Sequence, residues 1–73
     1  GQDVASSGLV PFHRISDNVD LSKPVKVTIE PIDGDDYLLL ADDFVVDTAL
    51  RRLVLTPPPA PGAGIVFEYD RLP

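Results

Sequence analysis

Two short Asp-bearing segments are the first residues of this sequence whose type and spacing suit a chemical task. Asp33, Asp35 and Asp36 stand in one turn-like stretch, and Asp42 and Asp43 follow in the next. Calcium takes six to eight oxygen ligands, usually gathered by one tight loop, and a hairpin between the two segments would carry these carboxylates towards one another. The stretch lacks the spaced ligands and the terminal Glu of the helical calcium loop. These acids are therefore expected as solvated turns, with calcium binding as the lesser alternative.

Other chemistries find less to work with. Two carboxylates can hydrolyse a glycosidic bond only when a cleft fixes their separation, and a chain of 73 residues rarely forms one. Cysteine is absent, the single histidine, His13, lies near the N-terminus, and no Gly-x-Ser-x-Gly element is present to raise a serine nucleophile. Gly62-Ala63-Gly64 follows prolines and lacks the Lys and the helix of a phosphate-binding loop. Pro57 to Pro61 has the composition of a ligand for aromatic-lined grooves. It is flanked directly by β-patterned segments, however, and reads as a rigid connection between strands. No catalytic residue, no cofactor-binding residue and no cofactor are expected, and the chain is not expected to be an enzyme.

The elements that would carry these residues are strands. In Val25-Lys26-Val27-Thr28-Ile29-Glu30 the apolar and polar residues alternate, as on a half-buried strand, and Pro24 and Pro31 bound it because neither supplies a ladder N–H. Asp33-Gly34 is a hairpin signal, with Tyr37 to Leu40 as the return strand. Leu53 and Leu55 alternate with Arg52, Val54 and Thr56, which favours a strand paired with Phe44 to Val46 over a two-turn helix running into three prolines. Ile65, Phe67 and Tyr69 share one face of a last strand, Ile65 to Asp70. Pro11 limits Leu9 to Ile15 to an edge strand or an extended lead-in. The alternation requires antiparallel sheet, since parallel pairs would need crossover helices for which the chain has no room. The expected architecture is all-β: a small antiparallel β-sandwich or partly open barrel of about five or six short strands. Residues 1–8 are expected as a flexible N-terminal arm and residues 9–73 as a single antiparallel domain.

Size and charge constrain how such a domain can work. A chain this short buries only about 60% of the surface it exposes when unfolded. Small domains compensate with disulfides, metal or oligomerisation, and the lack of cysteine removes the first. Twelve acidic against six basic residues give a net charge of −6, which disfavours phosphate-directed binding to nucleic acid and docking to anionic membranes. No apolar run approaches the roughly 20 residues of a spanning helix. With no Met anywhere, the chain is expected to be an excised or processed segment of a longer parent.

The C-terminal half resembles a phrase that recurs in tail and other structural proteins of tailed bacteriophages. It runs from Asp42-Asp43-Phe44-Val45-Val46-Asp47 through Leu53-Val54-Leu55-Thr56, then Pro58-Pro59-Ala60-Pro61-Gly62-Ala63-Gly64 and Ile65-Val66-Phe67-Glu68-Tyr69-Asp70. The commoner form carries a glycine in the turn after the first strand, where Thr48-Ala49 stands here. The resemblance implies a β meander and a role as virion building material in a tail, baseplate, fibre or capsid decoration, with no catalytic residue. It implies localisation in the virion and partners that are further copies of the chain, other virion proteins, or both.

Residues expected at such contacts are Phe12, Leu38, Leu40, Val45, Val54 and Val66, which place apolar groups where a strand's second face should be wet. Arg51 and Arg52 join them as cations able to pair with nearby acids, either within the sheet or across a subunit boundary. Two alternatives use other features. A carbohydrate-binding or adhesion domain would use Tyr37 and Tyr69, the only tyrosines. A small regulatory domain would bind its partner protein by adding a strand.

Overall fold

The computed structural model describes residues 1–8 and 12–73. Among the described residues seven strands run in chain order: β1 (Gln2–Ser6), β2 (Phe12–Arg14), β3 (Lys26–Glu30), β4 (Tyr37–Leu38), β5 (Phe44–Asp47), β6 (Arg52–Leu55) and β7 (Gly64–Glu68). A 3-10 turn, Ala41–Asp43, leads into β5. The strands form a four-stranded sheet in the order β1-β7-β3-β4 and a three-stranded sheet in the order β2-β6-β5, every pair antiparallel. This is the small antiparallel β-sandwich that the alternating segments predict. The Cα radius of gyration is 11.7 Å, close to the roughly 11 Å of a compact chain this long.

The core lies between the sheets. Val27 and Ile29 of β3 and Ile65 and Phe67 of β7 face Leu53 and Leu55 of β6, and all are buried. Ile15 and Val19, on the segment between β2 and β3, complete it at one end with Tyr69. Val19 bridges Arg71, and Leu72 N donates to Asn18 O at 2.8 Å, so this segment and the C-terminal residues close the same end of the sandwich.

Three expectations are corrected. The N-terminal residues expected as a flexible arm contain β1, paired along its whole length with β7 from Gln2↔Glu68 to Ser6↔Gly64. Its hydrophobic pattern is weak because Asp3 takes an inward position that an apolar residue would normally hold. The hairpin at Asp33-Gly34 exists, but it is a loop from Pro31 to Asp36 in which Gly34 adopts φ 113°, and its return strand is only Tyr37–Leu38. The phrase from Phe44 to Asp70 is not one continuous meander. β5 and β6 pair in the small sheet, whereas β7 lies between β1 and β3 in the large one. The stiff Pro57–Pro61 stretch carries the chain from one layer to the other, with the Thr56–Pro57 peptide cis. Ser7 Oγ donates to Pro59 O at 2.8 Å and Gly62 N to Ser7 O at 2.9 Å, which anchors the crossover to the end of β1.

Candidate functional site

The registers of the large sheet place Val4, Val66, Thr28 and Leu38 in one row across all four strands, on the face away from the core. Val4 is 65% and Leu38 51% exposed, while their neighbours leave Val66 only 9% exposed. One flanking row is Gln2, Glu68 and Lys26, with Lys26 Nζ 4.0 Å from Glu68 Oε1. The other is Ser6, Gly64 and Glu30. Leu40, just past β4, is also exposed.

The small sheet repeats the arrangement. Phe12, Val54 and Val45 form a row across its three strands on the outer face. Val45 is 56% and Phe12 40% exposed. The next row holds Arg14, Arg52 and Asp47, and the Arg52 guanidinium lies 4.4 Å from the centroid of the Phe12 ring. Stacking of this kind holds both side chains against the sheet and leaves a mixed cationic and aromatic surface.

The structure thus brings Phe12, Val45, Val54 and Arg52 together on one face and Val66 and Leu38 together on the opposite one, with Leu40 near the latter. Arg51 does not join either set. It occupies the left-handed region at φ 50° in the β5–β6 turn, and its Nη2 donates to the carbonyls of Ser16 and, at 3.1 Å, Val19. Its Nε lies 3.8 Å from an Asp17 carboxylate oxygen. Arg51 therefore ties the turn to the segment leading out of β2 and has an internal structural task.

The acidic candidates are dispersed. Asp33, Asp35 and Asp36 are exposed in the β3–β4 loop. Asp42 is exposed, and Asp43 Oδ2 accepts from Leu40 N at 3.3 Å at the start of the 3-10 turn. Among the described residues no group of three or more His, Asp or Glu side chains is placed to hold a metal ion.

A polar cluster not anticipated from sequence sits where β1 meets the closed end of the sandwich. Asp3 Oδ1 accepts from Tyr69 OH at 3.1 Å and Oδ2 from Ser16 Oγ at 2.8 Å. Burial, then the Asp3 hydrogen bond and charge, push the Tyr69 phenol above its ordinary pKa. Only the alternation of Asp3 and Ala5 against Gln2, Val4 and Ser6 hinted at a strand here, and with Asp3 inward that signal is faint. Beside the cluster a cavity of about 40 Å³ is lined by Asp3, Ala5, His13, Ile15, Leu53 and Phe67 among others. Its walls are almost entirely apolar, and it lies between the edge strands β1 and β2. At the far end, Ile32, Asp33, Tyr37, Pro59 and Pro61 border an open groove of about 440 Å³. Tyr37 is 47% exposed there, whereas Tyr69 is buried.

Both sheets thus present a partly apolar outer face. Neither the cavity nor the groove juxtaposes two carboxylates, or a histidine with a hydroxyl nucleophile, at hydrogen-bond distance. Compared with models of protein families, with curated proteins and with solved structures, the chain matches none of them.

Proposed function

We propose that this chain is a non-enzymatic structural module that works by assembly, as a tail, fibre or capsid-decoration component of a bacteriophage virion. The observation that carries the assembly reading is the pair of apolar rows, Val4-Val66-Thr28-Leu38 and Phe12-Val54-Val45, each crossing an entire sheet on its outer face. A small acidic domain exposing aligned Val, Leu and Phe on both layers gains by covering them against neighbours. The virion assignment rests on the resemblance of Asp42 to Asp70 to phage structural proteins.

Sedimentation equilibrium over a wide concentration range tests the assembly. Oligomers that weaken with Val45→Lys or Val54→Lys are expected. A strict monomer that also fails to label phage particles with an antibody against the chain would overturn the reading.

A second reading has one observation in its favour. Tyr37 and Asp33 share the open groove, the pairing of aromatic face and carboxylate that suits a carbohydrate ligand. Saccharide binding that Tyr37→Ala abolishes would support it, and a flat titration against a broad glycan panel would discard it.

A further inference from the structure

We infer that β1 is a self-complementary edge through which two copies of the chain join their four-stranded sheets into one continuous eight-stranded sheet. The inference deepens the assembly reading and rests on it.

The backbone supplies the first argument. Gly1 and Tyr69 exchange hydrogen bonds with each other at 2.7 and 3.0 Å, and Ser7 N donates to Ala63 O at 2.7 Å. Antiparallel pairs alternate between bonded and non-bonded residues. Gly1, Asp3, Ala5 and Ser7 therefore turn their backbone groups towards β7, and Gln2, Val4 and Ser6 turn theirs outward. No described residue takes these outward groups. They are spaced symmetrically about Val4, so a second β1 laid antiparallel across a two-fold axis at Val4 satisfies the N–H and C=O of all three residues on both copies.

Charge supplies the second argument. In that register Gln2 faces Ser6 of the other copy, Val4 faces Val4, and Asp3 faces Ala5, so no like charges meet. The Asp3 carboxylate is moreover held inward by Ser16 and Tyr69. The outward side chains of β1 are uncharged, and proteins commonly protect an exposed edge with charge, proline or shortness. The other edges have such protection. β4 is two residues long and follows Asp35 and Asp36, and β2 is three residues long and carries Arg14. β5 ends in Asp47 and directly follows Asp42 and Asp43. β1 is the five-residue edge whose outward side chains carry no charge, and its one charged side chain, Asp3, is already held inward by partners of its own chain.

Side-chain continuity is the third. Val4 is 65% exposed because it ends the outer row. Across the proposed axis the row continues through Val4, Val66, Thr28 and Leu38 of the second copy, on the same face, and each Val4 gains an apolar neighbour on its open side.

The absence of cysteine makes a direct test available. Paired residues in an antiparallel ladder have Cα atoms about 5.5 Å apart when hydrogen-bonded, within the roughly 4.4–6.8 Å that a disulfide spans. Under mild oxidation Val4→Cys should give a covalent dimer. Gln2→Cys alone should not, and the Gln2→Cys, Ser6→Cys double variant should. Thr48→Cys, exposed in the β5–β6 turn and outside both rows, is the collision control and should remain without a cross-link. Val4→Lys should raise the dimer dissociation constant at least tenfold, with the melting temperature unchanged at concentrations where the wild-type chain is monomeric. If the wild-type chain self-associates and Val45→Cys cross-links while Val4→Cys does not, the edge is wrong and the assembly reading stands. Cross-linking by Gln2→Cys alone overturns the register. A wild-type monomer at every concentration, with no cross-link from Val4→Cys, overturns both.

Discussion

Arg51 shows how one side chain can justify an unfavourable backbone. A non-glycine residue in the left-handed region costs about 1–2 kcal/mol, and a glycine would remove that cost at the same place. The guanidinium compensates by donating to the Ser16 and Val19 carbonyls across the end of the sandwich. A charge-assisted hydrogen-bonding group contributes about 1.5–3 kcal/mol, and here one nitrogen, Nη2, makes both bonds. Arg51→Ala keeps the strain and loses the bonds, so it is expected to destabilise by about 2–3 kcal/mol. Arg51→Gly loses the same bonds without the strain and should cost about 1 kcal/mol less. Urea midpoints of the two variants check the order. At Tyr69 burial and Asp3 raise the folded phenol's pKa, so the fold favours the neutral form. That contribution is complete below the ordinary tyrosine pKa of about 10 and is lost as pH rises through the folded value. Denaturation midpoints should fall at alkaline pH, and Tyr69→Phe should flatten that part of the profile.

At the scale of elements, the core strands carry the stability and the sequence displays them openly. A domain of this length holds about 4–11 kcal/mol in total. Removing a buried branched side chain costs about 2–5 kcal/mol, so Ile65→Ala in β7 or Leu53→Ala in β6 should remove a large share of it, read as a markedly lowered melting temperature by circular dichroism. β3, β6 and β7 were legible because Val27 and Ile29, Leu53 and Leu55, and Ile65 and Phe67 alternate with more polar or outward-facing residues. β1 was not legible, because its inward Asp3 finds partners in Ser16 and Tyr69 that lie 13 and 66 residues away. Burial of Val19 was hidden for the same reason, since its bridge to Arg71 is a tertiary contact within a turn-rich stretch. The proline stretch read correctly as a rigid connection, but composition does not state whether a connection joins neighbours in one sheet or crosses between two. Of the surface, the apolar residues were visible as excess hydrophobicity. Their alignment into rows needed the registers, and Arg51 looked like a surface cation until its carbonyl partners were seen. Gly62 marks the end of the crossover at φ 89°, and a Cβ there would meet Ile32 Cδ1 at 2.6 Å. Gly62→Ala should therefore cost about 1–2 kcal/mol in backbone strain, which a shift of the exposed Ile32 side chain away from the new Cβ does not relieve; urea midpoints check it.

For the whole molecule, a net charge of −6 on 73 residues sets copies against one another at long range. Self-association should strengthen with added salt, which screens that repulsion, and on lowering the pH towards the isoelectric point near 4.3. Sedimentation at two ionic strengths checks the first, and the opposite trend would point to contacts dominated by ion pairs such as those Arg14 and Arg52 can form. The position of β7 has a different consequence. It comes last of the seven strands, yet it lies between β1 and β3 and pairs with both. During synthesis the large sheet therefore has no centre until residues 64–68 have emerged, and β1 waits for β7 until then. Such long-range closure is slow relative to local pairing, and an uncharged strand kept waiting is open to the wrong neighbour. On a polysome, where many copies wait side by side, the contact most available to β1 is another β1, so the time at which this domain is most exposed to aggregation is also the time at which it can first meet its twin.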